Sequence, residues 1–184
     1  MIALRPIEAE DEGRLYDWRR EPEVDRWMDA DPPPNPEVHA AWFGELTGSP
    51  DRRGWIITDR DQPVGCLHIT GLVSRQKRAQ WRWYLGEAEA RGRGAGRAAQ
   101  ALGLDLAFGF GLRKVWAEVV AGNEVAMKAQ AAAGFRREGY LRRHAFKHGQ
   151  EYDVVLLAIF AEEWAARREP VLRSMRSSGL IASA

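Results

Sequence analysis

The segment RGRGAGR, residues 91–97, constrains the fold of this chain more than any other. Its glycines fall between a strand pattern, RAQWRWYLG, and a helix pattern, AAQALGLDLAFGFGL. A residue without a Cβ lets the backbone approach a ligand closely, and the amides of a helix's first turn point outward with partial positive charge. The loop is therefore built to cradle an anion. Arg91, Arg93 and Arg97 add cations, which suits a ligand with several phosphates rather than one carboxylate. A tight strand-to-helix turn with solvated arginines would use the same residues.

The order strand, loop, helix, strand, with KVWAEVV as the second strand, implies a local parallel βαβ unit. A helix from Asn123 to Ala133, closed by Gly134, follows it. Upstream the chain opens with a strand over Ile2 to Ile7, a helical pattern through EDEGRLYDWRR with Leu15 and Trp18 on one face, and a short helix PEVDRWM. The prolines of DPPPNP exclude regular structure and predict a hinge or lid-like connection. Asn35 and Pro36 start a helix that carries Trp42, Phe43 and Leu46 and stops near Gly48. GWIIT and PVGCLHIT around DRDQ form a hairpin, which RAQWRWYLG extends into an antiparallel meander. The C-terminal part reads as two long strands around HGQ and a short helix at Glu162 to Arg168. Apolar content then thins, so the expected organisation is one domain over 1–168 and a partly ordered tail over 169–184.

A length of 184 residues suits one compact domain with a hydrophobic core. The net charge of +1 argues against a dedicated nucleic-acid binder. That balance hides two blocks: ten acidic against four basic residues from Glu8 to Asp31, and seven basic against two acidic from Arg75 to Arg97. The single cysteine, Cys66, excludes an intramolecular disulfide and a cysteine-built metal site, and it fits a reducing compartment. His39, His68, His144 and His148 lack metal-ligand spacing, so no metal is expected. No apolar run approaches the roughly 20 residues that span a bilayer, and the N-terminus has no secretory pattern. A cytoplasmic protein without membrane or nucleic-acid partners is expected. Tryptophan is abundant, with eight residues, and arginine outnumbers lysine 23 to 4.

A Walker phosphate loop requires Gly-Lys-Ser/Thr, whereas Gly96 is followed by Arg97 and Ala98. Gly94, Gly96 and Ala99 do fit the dinucleotide pattern G-x-G-x-x-A, with Glu118 on the next strand. The mid-chain position after an antiparallel meander leaves too little chain for a second mononucleotide half. From Trp81 to Phe135 the sequence resembles the GNAT superfamily of acetyl-CoA-dependent N-acetyltransferases. Arg91, Gly94 and Gly96 match its Q/R-x-x-G-x-G/A loop, and Asn123, Ala126, Gly134 and Phe135 match N-x-x-A/S followed by G-F.

The resemblance implies a single-domain α/β GNAT fold, with a mixed, mostly antiparallel central sheet splayed between two parallel strands and flanked by helices. It implies acetyl-CoA as cosubstrate, with pantetheine beside Trp83, Tyr84 and Leu85. The pyrophosphate would rest on Arg91, Gly92, Arg93, Gly94, Ala95, Gly96 and Arg97, with Asn123, Ala126 and Lys128 nearby. An amine would attack the thioester directly, with a backbone amide near Tyr84 or Leu85 stabilising the oxyanion. Where many members carry a tyrosine acid, this chain has Gln130, which has no proton to give. Tyr84 is the substitute candidate for acid, and Glu118 and His68 are the candidate bases.

For the acceptor, YDWRREPEVDRWM is similar to the N-acetyltransferases of the pseudaminic acid pathway, which acetylate a UDP-linked 4-amino sugar. Trp18, Arg19, Trp27 and Met28 are the matching residues, with an aromatic face for stacking and an arginine for diphosphate. Trp18 and Trp27 could equally anchor two amphipathic helices. The C-terminal half is also similar to acetyltransferases of ribosomal-protein N-termini and of polyamines, and the acidic block would attract a cationic amine. A domain that binds acetyl-CoA without turnover, as sensor or scaffold, is the alternative that Gln130 favours. Edge strands in the C-terminal hairpin offer pairing in a homodimer.

Overall fold

The computed structural model describes residues 1–182. Seven strands form one sheet in the order β1-β2-β3-β4-β5-β7-β6. They are β1 (Ile2–Pro6), β2 (Arg52–Asp59), β3 (Gln62–Thr70), β4 (Arg78–Leu85), β5 (Lys114–Val120), β6 (Arg136–Lys147) and β7 (Gln150–Phe160). Neighbouring strands are antiparallel except β4 and β5, which run parallel. This is the single-domain GNAT fold that the resemblance implied.

Among the described residues six α-helices cover the sheet: α1 (Glu12–Arg20), α2 (Pro22–Asp25), α3 (Pro36–Gly48), α4 (Ala95–Gly109), α5 (Glu124–Ala133) and α6 (Ala161–Ser177). Alternation along the strands sorts the apolar side chains into two layers. Leu67, Ile69 and Trp81 join Ala98, Ala99 and Leu104 of α4 and Trp164 of α6 in the larger core. Ile56, Cys66 and Tyr84 face the other way, against Leu15 and Trp18 of α1, Val24 of α2 and Phe43 of α3. The N-terminal helices thus cover one face and the C-terminal helices the other.

Side-chain chemistry fixes two helix starts. Asn35 Oδ1 accepts the Val38 amide at 2.9 Å to open α3, and Asn123 Oδ1 accepts the Ala126 amide at 3.1 Å to open α5. Two elements differ from the sequence expectation. The helix expected over PEVDRWM ends at Asp25, and only turn-like bonds continue to Met28. The short helix expected at Glu162 to Arg168 instead runs through Pro170 to Ser177, because Leu172 and Met175 are buried beyond the proline. The Ile2 amide then donates to Leu180 O at 2.6 Å, and Ile181 is buried. The last two residues of the expected tail, 183–184, lie outside the described residues. No described helix is long and apolar enough to cross a membrane.

The parallel pairing that positions the site is short. Arg78, Ala79 and Gln80 pair with Lys114, Val115 and Trp116, and there the register ends. From Trp81 onward β4 and β5 diverge.

Candidate active site

Where the two strands part, a cleft of about 610 Å³ opens between them. Trp81 to Leu85 of β4 form one wall and Ala117 to Val120 of β5 the other. Peptide groups on these facing edges have no sheet partner across the gap, and buried backbone polar groups require one. An extended, amide-bearing ligand arm supplies it, as an added strand would.

One end of the cleft is the glycine loop. Gly94 stands before α4 with a left-handed backbone, φ 86°, which favours glycine. At Gly96 a Cβ would lie 2.8 Å from the Trp83 ring, so the indole packs directly on the first turn of α4. The Ala98 amide donates to Gly94 O at 3.0 Å, and the amides of the turn before it are left for an anion. Arg97 is exposed at this end of the cleft. These features fit the phosphates and amide-rich arm of acetyl-CoA.

The other end is polar and was not legible as a group in the sequence. Glu118 of β5 accepts from Gln80 Nε2 at 3.2 Å and lies 3.7 Å from Arg82 Nη2 and 3.8 Å from His144 Nε2. Arg82 also donates to Asp29, from the loop after α2. Glu23, Val24, Trp27 and Met28 complete this end. Arg82 was recoverable in principle, since alternation with Trp81 and Trp83 puts it on the opposite face of β4. Asp29 carries no periodic signal, because a loop brings it there.

The cleft gathers Trp83, Tyr84, Leu85, Arg91, Gly92, Gly94, Gly96, Arg97, Glu118, Asn123, Ala126, Trp27 and Met28 from the sequence candidates. Arg91, however, spends its guanidinium on Leu85 O and Gly86 O, at 3.0 and 3.1 Å from Nη2. It ties the loop to the end of β4 rather than extending into the cleft as a free cation. Arg93 and Lys128 stand exposed outside the cleft, and Ala95 is buried beside it. Asn123 caps its helix.

Trp18 and Arg19 are also outside the cleft. Trp18 is buried, donates from Nε1 to Glu87 Oε1 at 2.9 Å and meets the Tyr84 ring edge-on at 6.4 Å. Its role is packing. Tyr84 turns its phenol into the same small core, where burial pushes its pKa well above the ordinary tyrosine value, so it holds its proton. His68 lies on β3, edge-on to Trp42 at 5.8 Å and opposite Arg82, and does not line the cleft. Enclosure pushes its imidazole down to about 3, with Arg82, Arg19 and Arg52 adding to the effect. A neutral imidazole of that basicity is a poor general base. Among the three catalytic candidates, Glu118 is the one whose side chain joins the polar network of the cleft.

No curated protein matches the chain by sequence. Among solved structures, the spermidine N-acetyltransferase of Vibrio cholerae, in complex with CoA and spermine, superposes with a TM-score of 0.82 at 19% identity, covering 89% of this chain and 98% of that one. A candidate acetyltransferase from T. thermophilus superposes with a TM-score of 0.77 at 24% identity, covering 95% and 93%. The model of the acetyltransferase (GNAT) domain matches residues 2–136. With its splayed parallel strands and glycine loop, the chain belongs to the GNAT acetyltransferases, which move an acetyl group from acetyl-CoA to an amine.

Proposed function

We propose that the protein acetylates a primary amine on a cationic small molecule of the polyamine class. The observation that carries this reading is charge at the acceptor end, where Glu23, Asp29 and Glu118 line the cleft and Arg82 pairs with Asp29 and Glu118. Such a surface attracts ammonium groups and opposes a diphosphate. The reading of a UDP-linked amino sugar rested on Trp18, Arg19, Trp27 and Met28, of which only Trp27 and Met28 line the cleft. The V. cholerae neighbour, a spermidine N-acetyltransferase, supports the same class of amine.

Bound acetyl-CoA supplies an activated acyl carbon and a thiol as leaving group. The chain's own groups do the remaining work. Amides of Gly94 to Arg97 hold the phosphates, and the open edges of β4 and β5 align the arm. N–H groups of β4 near Tyr84 and Leu85 that face away from β3 receive the charge gathering on the acyl oxygen. Glu118 takes the proton that the attacking ammonium must lose, directly or through water.

Release of free thiol from acetyl-CoA, measured with spermidine, a UDP-linked 4-amino sugar and a peptide with a free N-terminus, tests the reading. Spermidine is expected to give turnover. Turnover with the nucleotide sugar or the peptide and none with spermidine overturns it. Tight acetyl-CoA binding with no thiol release for any amine would instead identify a sensor.

A further inference from the structure

Gln130 of α5 is a polar side chain in the cleft wall. Ala126 and Ala129 of α5, Ala117 and Val119 of β5, and Val154 of β7 also line the cleft. The residue is only 3% exposed, and its Oε1 is buried with no hydrogen-bond partner among the described residues. A buried acceptor left unpaired destabilises the fold, so a protein keeps one only with compensation. The backbone beneath it is pinned. Gln130 O accepts the amides of Gly134 at 3.1 Å and Phe135 at 3.0 Å, and the Phe135 ring stacks on Trp81 with centroids 4.9 Å apart. The backbone that carries the carboxamide is therefore held in place at the splay.

We propose that Gln130 is a binding residue for the cosubstrate, its Oε1 accepting an amide N–H of the pantetheine arm. The arm brings donors of the right kind into the gap between the two strand edges. Oε1 has no partner among the described residues, and in the complex it is paired. The residue therefore trades stability of the free fold for affinity. Gln100 provides an internal comparison: it is fully buried on α4, both its polar atoms lack partners among the described residues, and it lies off the cleft.

The test uses Gln130→Met, which keeps length and removes the acceptor, Gln130→Glu, which keeps both size and acceptor, and Gln100→Met. Calorimetric titration gives the dissociation constants of CoA and of 3′-phosphoadenosine 5′-diphosphate, which lacks the arm. Thermal unfolding gives Tm without ligand. For Gln130→Met, the CoA dissociation constant is expected to rise about tenfold, the scale of one hydrogen bond, with the arm-less nucleotide unchanged and Tm equal or higher. Gln130→Glu should stay within about threefold of the parent for CoA, on the same scale. Gln100→Met should leave both ligands unaffected. An unchanged CoA constant in Gln130→Met, an equal loss for both ligands, or a fall in its Tm overturns the proposal.

Discussion

Trp18 and Trp27 lie close in sequence, yet one is a wall of the small core and the other a wall of the cleft. Trp18 shares a helical face with Leu15 and is trapped beneath Gly86, where a Cβ would come within 2.2 Å of the indole. Trp27 follows the last turn of α2, half-buried, with the Arg26 guanidinium 4.7 Å above its ring. The same separation applies to His68, and it has a measurable consequence. The unfolded chain takes up a proton near the ordinary value of 6.5, but the folded imidazole resists it down to about 3. The stability that His68 contributes by staying neutral is therefore present above pH 6.5 and declines as the pH falls toward 3. Replacing it by Gln should flatten the dependence of Tm on pH below 6.5 relative to the parent, while leaving catalysis at neutral pH in place; an unchanged slope would refute the assignment. Alternation in PVGCLHIT told which face His68 shares, but the cross-strand guanidinium and the Trp42 ring that enclose it come from distant segments. No local pattern carries that information.

Elements whose ends depend on one side chain were legible. Asn35 and Asn123 cap α3 and α5 where the sequence placed helix starts, and Gly134 ends α5 as expected. The hairpin of β6 and β7 and the meander of β2 to β4 were equally readable from alternation and turn residues. α6 was not, because Pro170 and a falling apolar content both argue locally for a stop. Proline removes one backbone donor and crowds the preceding turn, at a cost of about 3 kcal/mol or more. Leu172 and Met175 each return about 1.5–3 kcal/mol when buried, enough together to carry the helix across. Leu172→Ala is thus expected to cost about 2–5 kcal/mol in denaturant unfolding. Arg173→Ala, on the exposed side of the same turn, should stay within about 0.5 kcal/mol. Equal small effects at the two positions would mean that the segment after Pro170 does not pack. Its packing matters to the site because Leu180 contacts Gly94, where a Cβ would be 3.2 Å from the leucine methyls.

At the scale of the whole molecule, the sheet separates two electrostatic tasks. The glycine loop and Arg97 attract phosphate at one end of the cleft, and carboxylates from α2, the following loop and β5 surround the other. The acidic block and the glycine-loop part of the basic block, which nearly offset each other in the sequence, are folded to these opposite ends, although much of the acidic block is spent on internal pairs and Arg82 of the basic block lies among the carboxylates. Asp25 and Asp31 flank His148 at 2.7 and 3.1 Å, which ties the β6–β7 turn to the end of α2 and the loop after it. The exposed carboxylate of Glu23 and the partly compensated Asp29 and Glu118 remain to act on a substrate. Attraction of this kind is long-ranged and screened, with a Debye length of about 10 Å at 0.1 M salt and about 3 Å at 1 M. Spermidine carries more ammonium groups than a simple monoamine, so its KM should rise more steeply with sodium chloride, while kcat changes little. Initial rates with spermidine and with propylamine across a salt series give the two slopes directly. Parallel slopes would mean that the carboxylates do not select the acceptor by charge, and Trp27 and Met28 would then be left as the groups that do.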